Sequence, residues 1–438
     1  MTFDELNLNK PLLNAIEDLG FINPTPVQEK TFSVIMSGKD TVSIAQTGTG
    51  KTFAYLLPVL RQLKYSEQRH PRILILVPTR ELVLQVTGEL AKLTKYMNVR
   101  YAGIYGGTNI NTQKKIVYAG LDILVATPGR LYDLAMTGLL RLKNIQKVII
   151  DEVDEMLNLG FRPQLMRIFE VLPKKRQNLM FSATLTDEVE NFINDFFVSP
   201  EKIEITAHGT PIDKITQTVY HVPNFNTKIN LLNLLLKEDE FEKVLVFVSG
   251  KRLADRIYES LEPENKENSA AVHSNKSQNL RIKTLERFHK GELKVLIATD
   301  IAARGLDISD VSHVINFTVP EIPGDYIHRT GRTGRADKPG KAINFVTEKE
   351  KELLAQIEKM MHKVIPVEDL PENLKISKVL TEEEKNKPFD KNYLNTKLKF
   401  NSQGAFHEKK EKNKKINSGS PSKKRKTYKK PIKRSGKK

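Results

Sequence analysis

Eleven short apolar runs, set at intervals along the first 350 residues, constrain this chain more than any other feature. "TVSIA", "RILILVPT", "DILVATP", "KVIIDE" and "NLMFSAT" lie between residues 40 and 205, with helical patterns between them. "TQTVYHV", "KVLVFVS", "AAVHS", "KVLIATD", "HVINFTV" and "AINFVT" follow, again with helices between, for example over Lys251–Leu261 and Gln278–Lys290. Strands that are apolar throughout, alternating with amphipathic helices, predict parallel sheets covered by helices on both faces. The fold class is therefore α/β, as two domains of similar size. The polar stretch "TAHGTPIDK", with its Gly and Pro, marks the joint.

Composition supports a soluble chain of more than one core. The length of 438 residues exceeds one ordinary domain, and 39% of residues are hydrophobic. No run approaches the ~20 uninterrupted apolar residues of a spanning helix, and "MTFDELNLNK" lacks a secretory signal pattern. Cysteine is absent, which excludes disulfides and thiolate metal sites and fits a reducing compartment. The net charge of +17 is uneven: residues 409–438 hold 15 Lys and Arg against Glu411 alone. That tail has almost nothing to bury and reads as disordered. It suits an RNA tether; a solubilising arm and, through "KKRK", a nuclear signal are the other readings.

"SIAQTGTGKT" follows a strand and precedes an apolar helix. Gly48 and Gly50 let backbone amides turn towards an anion, Lys51 reaches the β- and γ-phosphates, and the Thr52 hydroxyl can hold Mg²⁺. A glycine-rich turn before a helix is the plainer alternative. Further along, "KVIIDEVDEMLNLGF" ends an apolar strand on two acids. Downstream of a phosphate loop, Asp151 can orient Mg²⁺ and Glu152 can align and deprotonate a water. Acids there also complement a helix N-terminus without chemistry. The division expected is Asp151 and Glu152 catalytic, Asp154 a domain-contact residue, and Glu155 solvated.

Here the chain resembles the DEAD-box RNA helicases, most closely the bacterial RhlE-type members. "DEVD" is similar to motif II, with Val153 in place of Ala. "GFINPTPVQ" with Phe3 upstream resembles the Q motif, and "AQTGTGKT" resembles motif I, where Ala45 is common. "PTREL", Gly106-Gly107 and "TPGR" resemble RNA-facing motifs, "SAT" motif III, "VLVFVSGKRLAD" motif IV, "ATDIAARGLDI" motif V and "HRTGRTGR" motif VI. The ordered set runs from Phe3 to Arg335. Thr330 departs from the usual Ile of motif VI.

The resemblance implies two tandem RecA-like domains. Domain 1 covers 1–207 and domain 2 covers 215–365, with a linker at 208–214. A short extension over 366–408 and the basic tail over 409–438 follow. It implies ATP-dependent unwinding of short RNA duplexes, with ATP and Mg²⁺ as cofactors. The ATP-site residues implied are Phe3, Gln28, Ala45, Gln46, Thr47, Gly48, Thr49, Gly50, Lys51, Thr52 and Asp307. Phe3 would stack on the base and Gln28 read its edge. Arg332 and Arg335 are the arginine fingers implied for the second domain, and His328 ties motif VI to the acids. Neither domain is complete alone, so hydrolysis requires closure about a hinge near His208. Thr79, Arg80, Gly107, Thr127 and Arg130 in domain 1, with Arg281, Thr299 and Gly305 in domain 2, are the RNA-contact residues implied. Such hydroxyls, glycines and arginines read phosphate and sugar rather than sequence, and 2′-OH contacts favour RNA. Ser182 and Thr184 would couple hydrolysis to strand separation. An ATP-gated RNA clamp, an RNA annealer and a DNA helicase are the rival functions. A monomer in the bacterial cytoplasm, without membrane association, is the setting expected, in ribosome assembly or RNA decay.

Overall fold

A computed structural model describes residues 1–45, 48–205, 215–303, 308, 311–334 and 340–385. The expected linker 208–214, the extension beyond 385 and the basic tail lie outside the described residues. The first sheet comprises β1 (Thr41–Ile44), β2 (Ile73–Leu76), β3 (Tyr101–Ile104), β4 (Ile123–Ala126), β5 (Lys147–Asp151), β6 (Gln177–Ser182) and β7 (Glu201–Glu204). The second comprises β8 (Ile215–His221), β9 (Val244–Val248), β10 (Ser269–Val272), β11 (Val295–Thr299), β12 (His313–Asn316), β13 (Gly340–Val346) and β14 (Val367–Glu368). All pairings are parallel.

The spatial orders are β3-β4-β2-β5-β6-β1-β7 and β10-β11-β9-β12-β13-β8-β14. Numbered within each lobe these are the same order, so the chain repeats one tandem RecA-like plan. Successive strand residues point to opposite faces, and the cores show it. Ile73 and Ile75 enter one cluster of the first lobe, Leu74 and Leu76 the other. Val244, Val246 and Val248 face one cluster of the second lobe, and Leu245 and Phe247 face its counterpart.

The apolar runs of the sequence are all strands here. The strands without such runs are β3, β7 and β14, all at sheet edges, where a strand is half exposed and carries no continuous apolar signal. After β14, residues to 384 remain packed on the second lobe. The Asn224, Asn226 and Asn230 amides donate to the carbonyls of Ser377, Val379 and Lys375. Among the described residues, no helix is long and apolar enough to cross a membrane.

Candidate nucleotide and RNA site

The functional motifs gather at the carboxyl ends of the parallel strands, where open α/β sheets place ligands. Helix Lys51–Gln62 starts directly after Gly50, whose φ is +87°. A Cβ at Gly50 would stand 2.5 Å from Gln28 Nε2, so only glycine fits both the left-handed backbone and the space. Gln28 Nε2 donates to the Gly50 carbonyl at 3.2 Å, and Gln28 Oε1 accepts from the Thr25 amide at 3.0 Å. The Q motif thus braces the phosphate loop. Beside it lies a cavity of about 380 Å³ lined by Phe3, Phe21, Gln28, Gly48, Gly50 and Thr52, among others. Phe3 is buried within the core, whereas Phe21 is half exposed and meets Phe53 edge to face at 5.7 Å. Ala45 closes the end of β1, its amide donating to the Ser182 carbonyl. Gln46 and Thr47 lie outside the described residues.

β5 carries Asp151 to the mouth of this loop. Its Oδ2 accepts from the Tyr55 hydroxyl at 3.0 Å. Among the described residues its Oδ1 is buried and without a hydrogen-bond partner, as is Lys51 Nζ. An unsatisfied buried polar group costs about 1–3 kcal/mol. This pair fits a phosphate on the ammonium and a hydrated divalent ion on the carboxylate. Burial pushes the Asp151 carboxyl up to about 6, with Lys51 opposing the rise and Glu152 adding to it. The chain then turns through Glu152 at φ +55°, a left-handed backbone rare outside glycine, before helix Val153–Asn158. Such a conformation costs of order 1–3 kcal/mol in a non-glycine residue and is of the kind that clusters at functional sites. Among the described residues no group of three or more His, Asp or Glu could hold a metal. A Mg²⁺ here would rest on Asp151, the Thr52 hydroxyl and the nucleotide itself, as that ion commonly does.

Asp154 joins three motifs. Its Oδ2 accepts from the Ala183 amide (3.2 Å), the Thr184 amide (3.0 Å) and the Thr184 hydroxyl (2.9 Å). His328 Nε2 of the second lobe stands 3.6 Å from the same oxygen and 3.5 Å from Glu155 Oε1. Burial would raise Asp154, but the His328 contact and charge hold it well below the usual carboxylate range. Burial likewise opposes charge on His328, yet Asp154 and Glu155 raise it above its ordinary value. The expectation that Glu155 is solvated is corrected: it is 1% exposed and sits in this cluster. Helical spacing turns it towards the second lobe, a surface that the sequence of motif II does not show.

The second lobe contributes its own network. Arg329, 2% exposed, grips Asp300 through two bonds of 2.6 and 2.7 Å, and also donates to Asn316 Oδ1 and the Thr318 carbonyl. Sequence reasoning missed this pair, although both residues lie inside quoted motifs. Arg332 is buried beside His328, Asp300 and Asp325. Arg335, Gly305 and Asp307 lie outside the described residues.

Of the expected RNA-contact residues, Thr79, Arg80, Gly107, Thr127 and Arg130 follow the carboxyl ends of β2, β3 and β4, and Thr299 ends β11. Thr79 caps helix Arg80–Leu93, accepting from the Leu82 amide at 3.2 Å. The Arg80 guanidinium stacks over the Tyr105 ring at 4.5 Å. Arg130 donates to the Thr108 carbonyl and Gln113 Oε1, so it shapes the loop that carries Gly107. Gly107 has φ +79° and open space where a Cβ would be. Thr127 directly precedes helix Pro128–Met136. Arg281 crosses to the first lobe, its Nη2 standing 3.0 Å from Glu81 Oε1 of "PTREL".

Fold and site together define a protein of tandem RecA-like lobes with a phosphate loop in the first. Residues 25–192 match the DEAD/DEAH box helicase family, and 227–337 match the helicase conserved C-terminal domain. The ATP-dependent RNA helicase RhlB of Pseudomonas syringae pv. tomato is 41% identical over 381 residues, covering 85% of this chain and 96% of that protein. The DEAD-box ATP-dependent RNA helicase CshA of Bacillus cereus is 40% identical over 372 residues, 84% of this chain and 70% of CshA. Among solved structures, S. cerevisiae Dbp5 bound to RNA and ADP BeF3 superposes with a TM-score of 0.77 at 29% identity, covering 85% of this chain and 96% of Dbp5. The chain belongs to the DEAD-box family of ATP-dependent RNA helicases.

Proposed function

We propose that this chain couples ATP hydrolysis between its lobes to the local opening of short RNA duplexes. The observation that carries the reading is Asp154, which binds Ala183 and Thr184 within the first lobe while facing His328 of the second. The site touching ATP is thereby connected to the element that meets RNA. Lys51 and the loop amides hold the phosphates. Glu152 takes the proton from water as its oxygen attacks the γ-phosphorus and ADP leaves. Arg332 and Arg335 offset the charge that develops on the transferred phosphoryl group. Asp151 and the Thr52 hydroxyl would hold a Mg²⁺, which would neutralise charge on the phosphates. Asp307 holds the ribose, and Phe3 and Gln28 hold the adenine.

Thr79, Arg80, Gly107, Thr127, Arg130, Arg281, Thr299 and Gly305 are assigned to the RNA backbone. The basic tail tethers RNA near a core that reads no sequence. We place the protein as a monomer in the bacterial cytoplasm, serving ribosome assembly or RNA decay, with motifs of the RhlE type. The test is steady-state ATP hydrolysis with and without single-stranded RNA, for the intact chain and for Glu152→Gln. Strong RNA stimulation that the substitution removes supports the reading. Hydrolysis indifferent to RNA, or untouched by the substitution, overturns it.

A further inference from the structure

We propose that the amino-terminal edge of the first sheet, at the far end of its strands from the ATP site, binds a small oxyanion: a phosphate or carboxylate group held by Lys147 and Arg72. The two lobes supply the argument. In the first, Ile73 pairs with Lys147 and Lys147 with Gln177 across β2, β5 and β6. In the second, Val244 pairs with His313 and His313 with Lys341 across β9, β12 and β13. Lys147 and His313 therefore occupy the same place in the repeated plan. Each opens the strand that follows the same crossover, and each is a nitrogen base beneath the sheet.

Their surroundings differ in one respect. In the second lobe Glu240 serves the basic cluster: Lys341 Nζ donates to Glu240 Oε2 at 2.5 Å, and His313 Nε2 lies 3.8 Å from Glu240 Oε1. In the first lobe the corresponding region is a cavity of about 310 Å³. Lys64, Arg72 and Lys147 line it with the amides of Gln62 and Gln146, and none of its lining residues is acidic. Arg72 is 8% exposed; its Nη2 is committed to Asp122, while its Nε is buried without a hydrogen-bond partner among the described residues. Lys147 Nζ donates only to a neutral acceptor, Gln177 Oε1, among its described contacts. Burial alone draws its ammonium down to about 8, with no acid acting against the fall. Even a half-buried cation without a counter-charge carries a desolvation cost, and the second lobe shows what chemistry relieves it at this position: a carboxylate. The cavity takes that group from a ligand.

The Lys147 titration in the full chain, followed by ¹³C NMR of the reductively methylated protein, tests this. The phosphate loop is kept filled with Mg·ADP, and Lys147→Met assigns the resonance. Inorganic phosphate and, in a parallel series, succinate are expected to move the Lys147 midpoint upward saturably by about 1 pH unit, as an opposite charge at contact does. A response to one series identifies which oxyanion the cavity takes. Gln146→Glu, at an exposed position on the cavity rim, supplies a built-in carboxylate. It is expected to raise the midpoint without added ligand and to abolish the response. Lys147→Arg is expected to keep phosphate binding, read as protection of the chain against thermal unfolding. An unmoved midpoint in both series, or the same movement with chloride at matched ionic strength, overturns the proposal.

Discussion

In the first lobe, Lys51 Nζ and Asp151 Oδ1 are buried without hydrogen-bond partners among the described residues, whereas in the second lobe the central buried cation is fully engaged. Arg329, equally buried, has its guanidinium engaged by Asp300, Asn316 and Thr318. Both lobes follow the same strand order, so the backbone plan does not distinguish them. Buried polar groups in folded proteins are nearly always satisfied. Lys51 Nζ and Asp151 Oδ1 suit the charges of a ligand, whereas the Arg329 cluster ties helix Pro323–Thr330, which carries His328, to Asp300.

The comparison breaks first at Glu152. Glu152→Gln is expected to lower RNA-stimulated turnover by about 10²–10⁴-fold, the usual worth of a general base, with ATP affinity kept. Undiminished turnover in a steady-state assay would move the catalytic role elsewhere.

Removing the second lobe's anchor acts on stability instead. Arg329→Leu leaves the half-buried Asp300, and the acceptors of Asn316 and Thr318, without their donor and is expected to cost about 1.5–3 kcal/mol. Denaturant unfolding should show this loss, while nucleotide binding by the first lobe persists. A loss below about 1 kcal/mol would mean that Asp300 finds water, and the contrast between open and closed lobes would soften.

Asp154→Asn keeps an acceptor for Ala183 and Thr184 but removes the charge facing His328. RNA stimulation of turnover is expected to fall about 10-fold, the equivalent of about 1.4 kcal/mol. The pair also has a pH signature. His328 is raised above its ordinary value, so its contribution is complete below that value and is lost as pH rises through the folded one. In Asp154→Asn, with that charge gone, the alkaline loss of stability should shrink. An unchanged profile would assign the link to packing alone.

Tyr55→Phe is a finer probe of the open site. Loss of one hydrogen bond to a charged group costs about 1.5–3 kcal/mol at most. The Tyr55 bond favours the ionised Asp151, which burial raises, so the acid limb of kcat/KM is expected to move to higher pH. A limb that stays in place would show Tyr55 to be only core.

The smallest effect compares Lys147 with His313. Burial depresses both, to about 8 and about 4. A depressed base contributes fully above its unfolded value and loses that contribution as pH falls through the folded one. The second lobe's loss therefore falls between about 6.5 and about 4, and the first lobe's between about 10.4 and about 8. Lys147→Met should remove the alkaline window and leave the acid one, as thermal melts across pH would register.

Most of this fold is written in local sequence. The central strands are apolar on both faces because helices cover both faces, and Gly50 announces a turn that only glycine can make. The phosphate loop, the two acids at the end of β5 and the motif order are legible because their chemistry demands particular side chains at short spacing. The edge strands β3, β7 and β14 are not legible, since half-exposed strands carry no such demand. Nor does local sequence tell that Glu155 is buried, that Arg281 meets Glu81, or that Arg329 holds Asp300. Those contacts join residues 29 to 200 positions apart, and only the packing of one lobe on itself, or on the other, brings their charges together. The sequence by itself determined which groups are available for chemistry; tertiary structure decided which are satisfied and which remain free to act, because burial and charge pairing depend on neighbours distant in the chain.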